Sequence, residues 1–396
     1  MDRGVIRLLF LNIGHFLDHL FMLIFATAVL AMVIEFDTTY GALLPLATAG
    51  FVAFGAGALP AGWLGDRWSR DGMMVVFFIG IGLASIVTGF ARTPLQVGGG
   101  LLLIGIFASI YHPVGIAMVV DGREKVGRVL GINGVFGNMG VAAAGLITGF
   151  LIDLVSWRAA FIVPGVASIA VGILFLAFAR ADGRRGGPKK AAAPDPVLDR
   201  AVLIRVFAVI GAATLLGGLI FQATTVSLPK VVEEQARGLA DSASDVGLIV
   251  GLVFAVAAFT QIAVGHLIDR YAIKPVFVAL TFLQVPLLFF VVQFVDLPMF
   301  ATALIMMSVV FGLIPINDAL IARHSVSAWR SRVYAFKYVF ALGVSASAVP
   351  LVGIMHETTG FATLFAVLAV VGAMEFLAAL TLPGAKRKQV SAVPAE

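Results

Sequence analysis

Gly62-Trp63-Leu64-Gly65-Asp66-Arg67 follows one long apolar run, and Gly265-His266-Leu267-Ile268-Asp269-Arg270 follows another, 203 residues later. A second pair keeps nearly the same interval: Arg128-Val129 with Val135-Phe136 returns as Arg332-Val333 with Val339-Phe340, 204 residues on. Two independent matches at almost one offset mark an internal duplication. The apolar runs around these motifs are about 20 to 27 residues long, the length a helix needs to cross a hydrocarbon core of about 30 Å.

Read with the charged and Gly/Pro breaks, hydropathy predicts helices near 7–34, 39–62, 73–91, 95–120, 128–152, 158–180, 203–228, 244–266, 275–295, 298–322, 332–354 and 361–383. The expected fold is an all-α membrane protein with twelve transmembrane helices in two pseudo-symmetric six-helix bundles. Residues 1–180 make the first bundle and 203–384 the second. Between them 181–202, with Arg184, Arg185, Gly186, Gly187, Pro188, Lys189 and Lys190, reads as a flexible cytoplasmic linker, and 385–396 as a cytoplasmic tail.

Composition agrees with this reading. Of the 396 residues 60% are hydrophobic and 12% charged, which a water-soluble chain of this length could not present without aggregating. The first run is too long for a signal-peptide core and is expected to remain in the mature protein. With no cysteine in the sequence, disulfides, thiolate catalysis and cysteine metal sites are excluded. The net charge of +5 sits in short segments between apolar runs, which speaks for membrane orientation and against nucleic acid. With the N-terminus inside, 22 of the 27 Lys and Arg fall on cytoplasmic segments, four fall outside (Arg92, Arg158, Lys230, Arg237), and Lys337 lies within a span. The positive-inside rule then places both termini in the cytoplasm, the chain being a multi-pass protein of the cell inner membrane.

At Gly62-x-Leu64-x-Asp66-Arg67 the sequence resembles the major facilitator superfamily, whose loop between helices two and three carries Gly-x-Leu-x-Asp-Arg-x-Gly-Arg-Lys. Gly62, Leu64, Asp66, Arg67 and Arg70 match, whereas Ser69 and Asp71 depart. The resemblance implies a cytoplasmic gate in which glycine permits a tight turn, Asp sits against a helix N-terminus and Arg bridges to the neighbouring bundle. Gly265, Asp269, Arg270, Arg128 and Arg332 are assigned to the same gate; plain helix capping is the alternative. A narrower likeness covers most of the first half. Gly14-His15-Phe16-Leu17-Asp18, Ser109-Ile110-Tyr111-His112-Pro113 and Gly134-Val135-Phe136-Gly137-Asn138-Met139-Gly140 look like the fosmidomycin-resistance type of efflux protein, with Val114 where those relatives carry an acidic residue.

An ionisable side chain at the middle of a span costs about 2.5–3.5 kcal/mol on insertion scales, so it faces a cavity or a partner. His15, Asp18 and His19 stand at i, i+3 and i+4, on one helical face. Asp18 lies about 16 Å in from Arg7 and His112 about 13 Å in from Asp121, at similar depth. The family likeness puts the first and fourth helices along the central cavity. Asp18, His15, His19 and His112 are therefore the expected proton-coupling group, with Asp18 as carrier and a hydrogen-bonded structural pair as the alternative. Asp318 and Lys337 read either as an ion pair or as a receptor for an anionic substrate with a switchable counter-ion. Asn133, Asn138, Gln222 and Asn317 complete the expected substrate cavity; Asn133 stands where the repeat has Lys337. Gly131, Gly134, Gly137 and Gly140, with Gly247, Gly251 and Ala255 of the eighth span, are expected to let the two halves approach closely. Glu375 has no evident partner.

The function these features predict is secondary transport by alternating access, as proton-coupled efflux of a small molecule or drug. Proton-coupled uptake of a small organic anion is the alternative, and a non-transporting receptor or scaffold with the same fold is the reading from another class. No nucleophile with a base appears, so an enzyme is not expected, nor is a cofactor. The His15, Asp18 and His19 face is the weak candidate for a metal, and none is expected. The expected partners are a small-molecule substrate, protons and the lipid bilayer around a monomer.

Overall fold

The computed structural model describes residues 3–121, 127–182, 200–324 and 327–383, so most of the expected linker and the whole tail lie outside the described residues. Ten helices span Arg3–Glu35 (α1), Tyr40–Arg67 (α2), Arg70–Gly89 (α3), Pro94–Val120 (α4), Val129–Leu154 (α5), Trp157–Asp182 (α6), Leu203–Gln235 (α7), Ala243–Arg270 (α8), Ile273–Phe290 (α9) and Asp296–Ile321 (α10). A further helical stretch, Ser327–Leu380, is broken at Gly360, where φ is +78°. Glycine takes that left-handed turn at no steric cost. The break divides it into α11 (327–359) and α12 (361–380), and each is long enough to cross a bilayer at about 1.5 Å per residue. The chain reverses there, because Glu357 meets Gly41 at the start of α2 while Leu382 packs with Val206, Ile268 and Leu320 near the start of α7 and the ends of α8 and α10.

Helix pairing follows the duplication. In the first half α1 lies along α5, α2 along α4 and α3 along α6; in the second, α8 lies along α10 and α9 along the stretch that holds α12. Each pairing in the second half recurs six helices after its counterpart. The halves meet where α5 packs on α8 and α2 on α11, two contacts that exchange under the same pseudo-symmetry.

Both seams close at the end of the molecule away from the chain termini. A Cβ placed on Gly247 would stand 2.3 Å from the Gly145 carbonyl oxygen, and one on Gly149 would stand 2.1 Å from that of Ala243, so glycine alone permits this approach of α5 and α8. The Ser244 N–H at the start of α8 donates to Asp153 Oδ2 across the seam at 2.7 Å. There the carboxylate also complements the helix N-terminus. At the other seam the Gly41 N–H donates to Glu357 Oε1 at 2.9 Å, His356 and Glu234 approach to 2.9 Å, and Lys230 Nζ lies 5.9 Å from the centre of the Tyr40 ring. Toward the termini the picture reverses. A Cβ on Gly131, Gly134, Gly265 or Gly343 would meet nothing within 4 Å, so free space stands beside α5, α8 and α11 on that side.

The glycine expectation for α5 needs correction. Gly137 and Gly140 face α1, against the His15 ring and the Phe16 carbonyl, while Gly131 and Gly134 border open space. The glycines of α5 that meet α8 are Gly145 and Gly149, about one and a half and two and a half turns beyond Gly140. The span reads as glycine-rich throughout, and its face changes partner part-way.

Candidate functional site

Asp18 sits near the centre of α1, about 22 Å from the start and about 26 Å from the end of this 33-residue helix. It is fully buried, and its oxygens make no regular hydrogen bond among the described residues. Its one close polar neighbour is His112 Nε2, 3.4 Å from Oδ2. His112 comes from α4, where Tyr111–Gly115 winds as a π-helix around Pro113. Proline has no N–H to give to the α-helical ladder, and single π-turns of this kind gather at functional sites.

Around this pair the histidines draw together. His19 Nε2 lies 3.2 Å from His15 Nε2, and the ring of His112 stands edge-on to those of both, at 5.4 and 5.6 Å between centres. His15 Nδ1 lies 2.7 Å from the Asn133 carbonyl oxygen. That oxygen only accepts, so Nδ1 carries a proton and, in the neutral ring, Nε2 turns its lone pair toward His19. The Tyr111 ring stacks on His15 at 4.9 Å, and its hydroxyl donates to the Leu11 carbonyl at 2.7 Å. Asn133 Nδ2 donates to that hydroxyl at 2.8 Å and to Asn12 Oδ1 at 3.0 Å. A Cβ on Gly137 would stand 2.7 Å from the His15 ring, so glycine makes the room the imidazole occupies.

The structure thus brings Asp18, His15, His19 and His112 into one cluster, with Asn133 behind it as a buried bracket. Tyr111 and Asn12 are the members sequence reasoning missed. Tyr111 lies inside the Ser109–Pro113 motif and could have been found from its place beside His112.

In the second half Lys337 Nζ approaches Asp318 Oδ1 to 2.5 Å, with the lysine mostly buried and the carboxylate partly open. Gln222 is buried with Nε2 lacking a hydrogen bond among the described residues, and so is Oδ1 of Asn317. Asn138 is half-buried on α5. Glu375 has the partner the sequence did not disclose: Gln284 Nε2 donates to its Oε2 at 3.1 Å, and Gly217 of α7 gives it space.

The gate motifs differ from expectation in form. Gly62–Arg67 is not a loop but the last turns of α2, and Gly265–Arg270 likewise ends α8. Gly62 and Gly65 serve close approach to α4, since a Cβ there would stand 3.2 Å from Pro113 and 2.9 Å from Val114. Asp66 binds Arg70 one turn on at 2.7 Å, and Arg67 lies over the Trp63 ring. Both contacts stay within the first half. Asp269 and Arg270 stand exposed at the end of α8. Arg128 and Arg332 lie outside the residues whose side chains are described.

The Major Facilitator Superfamily profile matches residues 11–240 and again 236–396. This chain belongs to the major facilitator superfamily. Among curated proteins, the facilitator is 29% identical over 129 residues to the gallate transporter of Pseudomonas putida, a match covering 32% of this chain and 29% of that one. It is 28% identical over 137 residues to the tetracenomycin C resistance and export protein of Streptomyces glaucescens, covering 33% and 25%. The chain thus spans less than a third of the length of these relatives. Solved structures match over nearly all of it. A bacterial homologue of the human lysosomal transporter Spinster, inward-facing and unoccupied, gives a TM-score of 0.72 at 15% identity over 96% of this chain and 98% of that one. A POT family transporter in complex with 5-aminolevulinic acid gives 0.74 at 12% over 96% and 95%. At such identities the likeness is one of fold.

Within the facilitator, the two departures from the family pattern have structural partners. Ser69, where the pattern has glycine, caps α3 by accepting from the Gly72 N–H at 3.0 Å. Asp71, where it has lysine, binds Arg7 of α1, which also reaches Asp182 of α6. The α1, α3 and α6 ends are thereby tied inside one bundle.

Proposed function

We propose that this facilitator is a proton-coupled exporter of a small aromatic molecule, working by alternating access between two bundles that divide at 181–202. The observation that carries the reading is the Asp18–His112 contact at mid-membrane depth: a carboxylate without regular hydrogen bonds among the described residues, 3.4 Å from an imidazole. A buried carboxylate of this kind is costly unless it exchanges a proton or a partner, and intramembrane ionisable groups mark ion pathways. Asp18 carries the proton and His112 shares it, with His15 and His19 completing the relay. Substrate enters between the bundles, beside Asn138, Gln222, Asn317, Asp318 and Lys337.

The positive charge of the termini end supports a reading in which that end is cytoplasmic, the membrane is the cell inner membrane and the space between the bundles on that side faces inward. When it closes, Gly62, Asp66, Arg67 and Arg70, with Gly265, Asp269, Arg270, Arg128 and Arg332, form the new rim, and the seams at Gly247 and Gly41 part. Partial likeness to resistance and export proteins supports the outward direction, and the His15–Asp18, Tyr111–Pro113 and Gly134–Gly140 motifs support kinship with the fosmidomycin-resistance type. A second reading, uptake of an aromatic carboxylate, is favoured by the gallate transporter match and by Lys337 as the receiving cation.

Asp18→Asn tests the role of the carboxylate. In proteoliposomes it should keep substrate counterflow, which needs only the rocking of the bundles, and lose accumulation driven by a pH gradient. Full gradient-driven transport by Asp18→Asn would defeat the proposal.

A further inference from the structure

We infer that the histidine cluster is a binding site for one divalent first-row transition cation of the zinc, cobalt or nickel kind. One ring nitrogen from each of His15, His19 and His112 lies within 4.8 Å of those of the other two. Around a tetrahedral ion held by imidazoles at about 2.0–2.1 Å, ligand nitrogens sit about 3.4 Å apart. His15 and His19 already present Nε2 to Nε2 at 3.2 Å, and small rotations of the half-buried His112 ring close the rest. Two such nitrogens are bridged either by the Nε2–H of a neutral His19 donating to His15 or, once that proton leaves, by a metal.

The surroundings are those of a built ligand set. Metal-binding imidazoles are held by a hydrogen bond on the opposite ring nitrogen, which fixes tautomer and orientation. His15 has this from the Asn133 carbonyl at 2.7 Å, with Tyr111 stacked on its face and Gly137 making room. His112 has a carboxylate beside it, Asp18 at 3.4 Å. That carboxylate supplies the independent observation. It is fully buried, has no regular hydrogen bond among the described residues and faces the cluster, so it offers the negative charge a divalent cation would answer. Three neutral imidazoles suit zinc, cobalt, nickel and copper and disfavour magnesium and calcium, which prefer oxygen. The fourth position opens through His112, whose side chain is 23% exposed, and there a water or a donor atom of a bound small molecule completes the shell. The inference stands on the cluster's geometry and holds whichever way the protein transports; the cation and the relay proton compete for the same three rings.

The test uses the purified full-length protein in detergent and Co2+ alone as the probe, followed by its visible absorption. Saturable binding of one ion per chain is expected. His15→Gln, His19→Gln and His112→Gln should each weaken it at least tenfold, and Asp18→Asn by about 10–100-fold, as loss of an orienting partner does. His266→Gln, exposed on α8, should leave it unchanged. Should a cluster variant fail to fold, X-ray absorption at the cobalt edge of the wild type decides by itself: three imidazole ligands are expected. An oxygen-only shell, the absence of saturable binding, or equal affinity in the His→Gln variants would overturn the assignment.

Discussion

Replacing Gly247 by alanine should push the protein toward the state open at the end away from its termini. The added Cβ would stand 2.3 Å from the Gly145 carbonyl oxygen and 2.9 Å from its carbon, both backbone atoms that no rotamer change can move. The α5–α8 seam must therefore widen by roughly 1 Å or part. Overpacking of this kind costs about 1–3 kcal/mol. At 1.4 kcal/mol per factor of ten, the ratio of seam-closed to seam-open molecules falls by about 5- to 150-fold. The absence of cysteine makes the assay direct, since a single Thr225→Cys on α7, where Thr225 is 2% exposed beside Gly145 and Val250, is then the only thiol. Its reaction with a membrane-impermeant maleimide should quicken about fivefold or more in the Gly247→Ala background. Gly131→Ala, where a Cβ meets nothing within 4 Å, should leave the rate as it was. Equal rates in the two backgrounds, with both proteins folded, would refute the claim that this seam closes one face.

Tyr111→Phe removes a hydroxyl that donates to the Leu11 carbonyl and accepts from Asn133; Asn133 keeps Asn12 and Leu11 keeps its place in the helix ladder, so stability should fall by only about 0.5–1.5 kcal/mol in thermal unfolding. Asp318→Lys and Lys337→Asp should each impair folding or transport, and the double swap should recover it if the 2.5 Å pair is structural. A swap that folds but does not transport would instead assign Lys337 to the substrate.

The spans were legible because hydropathy alone reports what lipid accepts, and the two halves because the Gly62–Arg67 and Gly265–Arg270 motifs repeat at one interval. The face of His15, Asp18 and His19 followed from helical spacing, and the nearness of His112 from its depth along α4. Other features depend on contacts between distant segments, which no local pattern encodes. His356 and Glu234 are 122 residues apart and Glu357 and Gly41 are 316 apart, so the latch on the closed face could not be read from either partner. Gln284 and Glu375 meet for the same reason across 91 residues. The misreading of Gly62–Arg67 as a loop came from taking glycine as a breaker, when in a membrane helix glycine also marks the place where another helix comes close.

The central claim, that a proton on Asp18 and His112 drives the exchange of the two states, is tested most directly in proteoliposomes holding a pH-sensitive dye. A panel of aromatic carboxylates and aromatic antibiotics is added one compound at a time. At least one compound should move the internal pH with the wild type and fail to move it with Asp18→Asn. Tight binding of a compound by the wild type with no proton movement for any of them would contradict the account and mark the fold as a receptor.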